Sequence, residues 1–174
     1  MAENLKVTHY RNGDAIPNVI DLTELDNLTT GAIFNYFYNT KLTEEYGCFY
    51  NWYAVKDCRN IAPTGWHVPT DLEWQTLIDF LGGNSVAGGK LKEKGTLHWV
   101  KPNIRATNES GFSALPEGMA SRYGGLGYCA FFWSSTELNS EYALSRELSN
   151  SSSGILGNTL GYKQYCYSVR CLKD

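Results

Sequence analysis

Few residues in this chain are placed to do chemistry. Cys166 and Cys171 stand close together near its end. They could form a bridge, hold a metal, or be unrelated. The cysteines are Cys48, Cys58, Cys129, Cys166 and Cys171, an odd number with no CxxC spacing. At least one thiol is therefore unpaired within the chain; a full disulfide framework is excluded, and one or two bridges stay open. Free cysteine often behaves as a small buried hydrophobe, which is the preferred reading of Cys171 in the last strand. His9, His67 and His98 lie far apart and lack the spacing of zinc ligands. The glycine-rich run "YGGLGY" (123–128) has neither the GxGxxG pattern nor a following helix, so it is no phosphate cradle. Ser134 and Ser135 follow Trp133 outside any G-x-S-x-G frame. Asp71 and Glu73 fall in the first turn of an expected helix, where capping and the helix dipole account for them. No acid/base pair emerges.

The elements that would position these residues are of mixed type. "GWHVPTDLEWQTLIDFLGG" (65–83) predicts a helix, with Thr70 as N-cap and Glu73 completing a capping box. Trp74, Leu77, Ile78 and Leu81 make one apolar stripe at helical spacing. "SVAGGKLKEKG" (85–95) predicts a second, shorter helix, and "DLTELDNLTTGA" (21–32) a short one stopped near Gly31. Residues 5–20 read as a short strand, a turn at Asn12-Gly13-Asp14 and an extended segment. "AIFNYFYN" (32–39) and "GCFYNWYAV" (47–55) are aromatic, β-prone runs. After Gly95 come loops broken by Pro102 and Pro116, then short β-prone segments between Gly, Asn and Ser turns. The expected class is α+β, two helices packed on short antiparallel strands with long irregular loops. No linker or internal repeat is visible, so residues 1–174 are read as a single domain.

Composition excludes several function classes. With 174 residues, 43% of them hydrophobic and 14% aromatic, the chain can bury a real core and is not intrinsically disordered. Its net charge of −3 offers no basic footprint for nucleic acid. No apolar run is long enough to span a membrane. The start, "MAENLKVTHYRNGD", has no signal-peptide core, so either the protein is not exported by that route or a leader is absent from this chain.

Seven segments carry a family resemblance, in order along nearly the whole chain: "MAENLKVTHYRNGDAIPNV", "YNWYAV", "APTGWHVPTDLEWQTLIDFLGG", "AGGKLKEKGTLHW", "ATNESGFSALPEG", "FWSSTE" and "SVRC". Together they resemble the Fibrobacter succinogenes major paralogous domain family. That resemblance implies a C-type lectin-like fold, related to the formylglycine-generating enzyme fold, often exported or attached to a cell surface. A narrower resemblance, to the variable proteins of diversity-generating retroelements, covers residues 127–169. In those proteins this segment is rewritten by a reverse transcriptase that misreads template adenines. This chain departs from the pattern at Leu144, Cys166 and Tyr167, where relatives often carry tryptophan, glycine and phenylalanine.

The resemblance implies a non-enzymatic binding module, whose targets would be a protein or glycan on a cell surface. The implied location is extracellular, cell-surface or virion-associated, and no cofactor is expected. Its ligand surface would draw on Cys129, Phe131, Leu138, Asn139, Tyr142, Ser145, Glu147, Ser149, Asn150, Ser151, Ser152, Leu156, Gly157, Asn158, Leu160, Gly161 and Tyr162. Strand alternation puts Ser145, Glu147 and Ser149 on one face, expected to be displayed; Leu144 and Leu148 on the other can serve the core. Ile155 is expected to point in, and Leu156 and Asn158 out. Ser, Asn, Gly and Tyr are also the residues antibody loops use for contact. If the template encodes mutable sites mainly as AAC or AAT, randomised adenines never yield Trp, Met, Lys, Gln or Glu; Trp133, Glu137, Lys163 and Gln164 are then expected to be fixed. The alternative is a copper-dependent oxidase of the formylglycine-generating type, with Cys166 and Cys171 as soft ligands to Cu(I). Calcium-dependent sugar binding is disfavoured, because neither the Glu-Pro-Asn nor the Gln-Pro-Asp triplet occurs.

Overall fold

The helix expected after Thr70 begins with the hydrogen bonds its sequence calls for. In the computed structural model, which describes residues 1–35, 40–120 and 124–174 (of Leu22, Thr40, Gly157 and Asn158, the backbone alone), that helix runs Asp71–Phe80. The Thr70 hydroxyl accepts from the Glu73 amide at 3.3 Å, and the Glu73 carboxylate accepts from the Thr70 amide at 2.8 Å. This closes the capping box and satisfies two otherwise orphaned donors. The helix stops at Gly82 and Gly83, whose φ angles of 102° and 90° suit glycine. Trp74, Ile78 and Leu81 are buried and Leu77 is partly buried.

In chain order the elements are α1 (Leu22–Leu25), β1 (Ile33–Phe34), α2 (Thr40–Tyr46), β2 (Phe49–Asn51), α3 (Trp52–Lys56), β3 (Trp66–His67), α4 (Asp71–Phe80), α5 (Ala87–Leu91), β4 (Cys129–Glu137), β5 (Tyr142–Ser149), β6 (Ile155–Tyr162), β7 (Cys166–Tyr167) and β8 (Leu172–Lys173). The architecture is α+β, with short helices and, among the described residues, three small antiparallel sheets ordered β1-β2-β7, β3-β8 and β4-β5-β6. Two sequence expectations change. Residues 47–55 are not one strand, because the Asn51 side chain accepts from Ala54 N at 3.0 Å and caps α3 after three strand residues. Local capping outweighs aromatic β-propensity here. Residues 5–20 keep the turn, with Gly13 at φ 93°, but form no strand; among the described residues isolated bridges join His9 to Ala15 and Asn18 to Ile33. Of the run 32–39, residues 36–39 lie outside the described residues.

The sheet β4-β5-β6 is the middle layer. Strand alternation sends Phe131 and Trp133 into one core cluster, with Tyr50, Trp52, Tyr167 and Val169. Ala130 and Phe132 enter another, with α4, Trp99, Leu148 and Ile155. Trp74, Trp99 and Trp133 are fully buried, while Trp66 and Phe112 are half-buried. The C-terminal run returns to the start of the chain: Leu5 N donates to Val169 O at 2.8 Å, and β7 pairs with β2.

A polar cluster lies where these segments meet. Arg170 donates to Asn4 Oδ1 at 2.9 Å, to Phe112 O at 2.7 Å and to Ala2 O at 3.0 Å. Beside it Glu117 is 1% exposed. Burial pushes the Glu117 carboxyl up to about 8, against the weaker pull of Ser168, Asn4 and the Arg170 charge. His67 is raised by its hydrogen bond to Asp174. At His98 burial opposes the rise, but bonds to Glu93 and Glu45 outweigh it. All three groups hold a proton more tightly folded than unfolded. Their stabilisation is full below the unfolded pKa and is lost as pH rises through the folded one. Glu117→Gln should therefore gain stability relative to the parent by on the order of 3 kcal/mol between about pH 5 and pH 8. Urea titrations at both pH values measure this; an equal pH slope in parent and variant would refute the raised carboxyl.

Candidate ligand-binding surface

The surface is set by where cover over the middle sheet ends. On β5, Leu148 and Arg146 are buried against α4 and its cluster. Arg146 is 1% exposed and meets Asp71 Oδ1, in the first turn of α4, at 2.6 Å. Asp71 N in turn donates to the Thr136 hydroxyl of β4 at 2.9 Å. Beyond this tie the same side of β5 is only partly covered. Leu144 lies opposite Leu160, and Tyr142 opposite Tyr162. Leu160 is 51% exposed and Tyr162 42%. The rings of Tyr142 and Tyr162 lie 4.4 Å apart at 39°. A hydrogen bond between their phenols, more than burial, pushes Tyr142 up to about 12. Tyr162 then meets Tyr165 edge-on at 5.3 Å, Tyr165 meets Tyr167, and Tyr167 packs on Trp133 at 4.4 Å. A chain of aromatic contacts thus runs from the surface to the core.

The structure sorts the sequence-derived site residues into three groups. Leu138, Asn139, Ser151, Leu156, Leu160 and Tyr162 are exposed. Cys129, Tyr142, Glu147, Ser149 and Ser152 are half-buried. Phe131, Ser145, Asn150 and Gly161 are buried, which corrects the expectation of display at Ser145. Of Gly157 and Asn158 the backbone alone is described, so neither is sorted. Ser145 does share a side of β5 with Glu147 and Ser149, but the core cluster around Trp133 and Tyr167 covers that side. The Ser145 hydroxyl donates to Thr159 O at 2.9 Å, inside the sheet. The Asn150 amide donates to Val100 O and Lys101 O at 3.1 and 3.3 Å, tying a loop down. Phe131 is stacked on Tyr167 at 5.0 Å. A sheet covered on both faces loses the in/out alternation that the sequence reading used. Register adds a second reason. Ser145 pairs with Thr159 but Glu147 with Leu156, so β6 carries an extra residue between those pairs. Ile155 points in and Leu156 is 57% exposed, as expected. Leu144 is missed as a surface residue, because its exposure depends on the extent of the neighbouring layer.

Glu147 sits opposite Phe131 and Leu156. Burial alone raises its carboxyl pKa. Lys163 is 4% exposed; its ammonium donates to Glu137 and to Ser140 O, and lies 4.9 Å from the Trp52 ring. It anchors the turn that follows β6. Cys166 and Cys171 belong to different core clusters, the first with Phe34, Phe49 and Ala120, the second with Tyr50 and Val169. Burial raises both thiols, Cys171 to about 11. A copper site needs thiolates side by side, so this packing lends the oxidase reading no support.

Gly161 shows how tightly the surface is tied to the core. A Cβ there would lie 2.4 Å from the Trp133 ring and 2.8 Å from that of Tyr167. Gly161→Ala should cost about 1–3 kcal/mol through overpacking. Leu160→Ser, one residue away and exposed, should change stability by about 0.5 kcal/mol or less. Denaturant midpoints of the two variants test the contrast; equal effects would show that Gly161 is not wedged against Trp133.

No curated protein and no solved structure matches the chain. The sequence profile of the Fibrobacter succinogenes major domain matches residues 1–173, which is all but the last residue. The chain belongs to the Fibrobacter succinogenes major domain family.

Proposed function

We propose that this chain is a non-enzymatic binding module whose C-terminal segment, residues 127–169, presents a ligand surface diversified by a retroelement. One observation carries the reading: Tyr142, Leu144, Leu160 and Tyr162 are exposed or half-buried on one side of the paired strands β5 and β6, while Phe131, Trp133 and Leu148 of the same sheet are locked into the core. Exposed leucines and paired tyrosines on a rigid sheet are the anchors a protein or glycan partner buries. Rigidity matters because a preordered surface loses little conformational entropy on binding. A C-type lectin-like arrangement is supported by terminal segments that pair with each other and by the long irregular stretch between Gly95 and Ala120. The target lies on a cell surface, and the protein acts outside the cell, attached to a surface or to a virion.

The burial pattern and the genetic code make a joint expectation. Leu138, Tyr142, Leu156, Leu160 and Tyr162 are both accessible and reachable from AAC or AAT codons. Ser145, Asn150 and Gly161 are reachable but packed; Trp133 and Lys163 are neither. Sequencing sibling genes and any adjacent near-copy of the 3′ end should show template adenines at the first set and constancy at Trp133, Lys163 and Gly161. A near-copy with no adenines at those exposed codons, or free variation at Trp133, would overturn the proposal.

A further inference from the structure

The geometry points to a second binding site, separate from the strand surface: the cleft between α3, the 29–31 segment and the Glu137 end of β4 takes a small polyhydroxylated monoanion, namely a uronic acid or a glycan ending in one. The cleft measures about 540 Å³ and is mostly polar in lining. That size suits a small ligand.

Its charges decide the ligand class. Lys163 and Glu137 form one compensated pair on its wall. Arg59 is held by Asp57 at 2.8 Å and by Asp14 at 3.1 Å, with its guanidinium 4.0 Å from the Tyr10 ring centroid. Lys56, exposed in the last turn of α3, makes no ion pair among the described residues. The cleft therefore offers one uncommitted cation. A phosphate dianion asks for more positive charge and a free bidentate arginine, and would meet the carboxylates of Glu137 and Asp57. A single carboxylate suits Lys56, and neighbouring hydroxyl groups on the same ligand would donate to Glu137 and Asp57.

The remaining lining agrees. The hydroxyls of Thr29, Thr30 and Tyr53 line the cleft, and none makes a hydrogen bond to the protein among the described residues. They can donate to and accept from ring hydroxyls. Tyr53 is partly exposed, so its ring offers a flat face to the apolar side of a pyranose. Trp52, 3% exposed beneath the Lys163 ammonium, forms a rigid floor.

The test is a titration of the ¹⁵N-labelled protein with D-glucuronate, followed by NMR. Saturable shifts at Thr29–Gly31, Tyr53 and Lys56, with a dissociation constant on the order of 1 mM, are expected. D-Glucose and inorganic phosphate should each bind about threefold to fivefold more weakly, the value of one exposed ion pair. Lys56→Gln should bring glucuronate down to the glucose level with an unchanged melting temperature. Tyr162→Ser, on the strand surface, should leave glucuronate binding intact, so the two sites fail or stand separately. Binding of methyl glucuronoside as well identifies a glycan end; binding of the free acid alone identifies the free sugar. Equal shifts with acetate, shifts confined to other residues, no saturation, or no effect of Lys56→Gln would each overturn the site.

Discussion

Trp133 is the residue on which the rest of the structure depends. Its ring is fully buried, its indole N–H donates to Tyr50 O at 2.8 Å, and its carbonyl accepts from Trp74 at 3.4 Å. One side chain on the middle sheet thus reaches the N-terminal half of the chain, and its backbone reaches α4. Gly161 leaves room for the ring on β6, and Tyr167 covers it from β7. Removing the ring would empty a site that three separate segments were built around. Cavities of that kind cost on the order of 3–5 kcal/mol in well-packed cores.

Long irregular segments create a second demand. Their carbonyls lack ladder partners, and buried carbonyls need donors. This chain meets much of that demand with buried cations. Lys92, fully buried, donates to Ile104 O, Ser149 O and Ser152 O at 3.1, 2.8 and 2.7 Å. Arg170 serves Ala2 and Phe112, and Lys163 serves Ser140. Burying an ammonium is costly, and burial lowers the Lys92 pKa to about 8. The arrangement persists because each long side chain fastens loops that no strand could pair.

Legibility in the sequence followed the range of the interaction. The helix after Thr70 was readable because its start signal, Thr70 with Glu73, lies within one turn. Family membership was readable for the same reason, since its segments are contiguous runs. The break at Asn51 was less visible, because its amide also accepts from Ala32 N and donates to Thr30 O across the chain. Burial of Ser145 was invisible. Alternation identified its neighbours on the strand correctly, but a period of two says nothing about whether a second layer covers that side. The extra residue in β6 and the wedge at Gly161 depend on cross-strand partners and could not be read locally either.

These same constraints decide where variation is physically cheap. Along β5 and β6 a reachable codon is not enough, since Gly161 lies against the Trp133 ring, which any larger side chain must displace, and Ser145 is fully buried with its hydroxyl bonded to Thr159 O. At the end of the sheet the situation reverses. Leu160, Leu156 and Tyr162 project from the edge strand, their backbone ordered by pairing with β5 and by Trp133 beneath. Side chains there can change size or polarity without opening a cavity or burying a charge. Glu147 falls between these cases. Its carboxyl is half-buried and raised in pKa by burial, beside Phe131 and Leu156. A neutral or smaller residue would fit there more easily than a basic one, which would face the same desolvation with no compensating carboxylate. Tolerance to substitution in this segment therefore follows the cover of the sheet, not the alternation of its sequence.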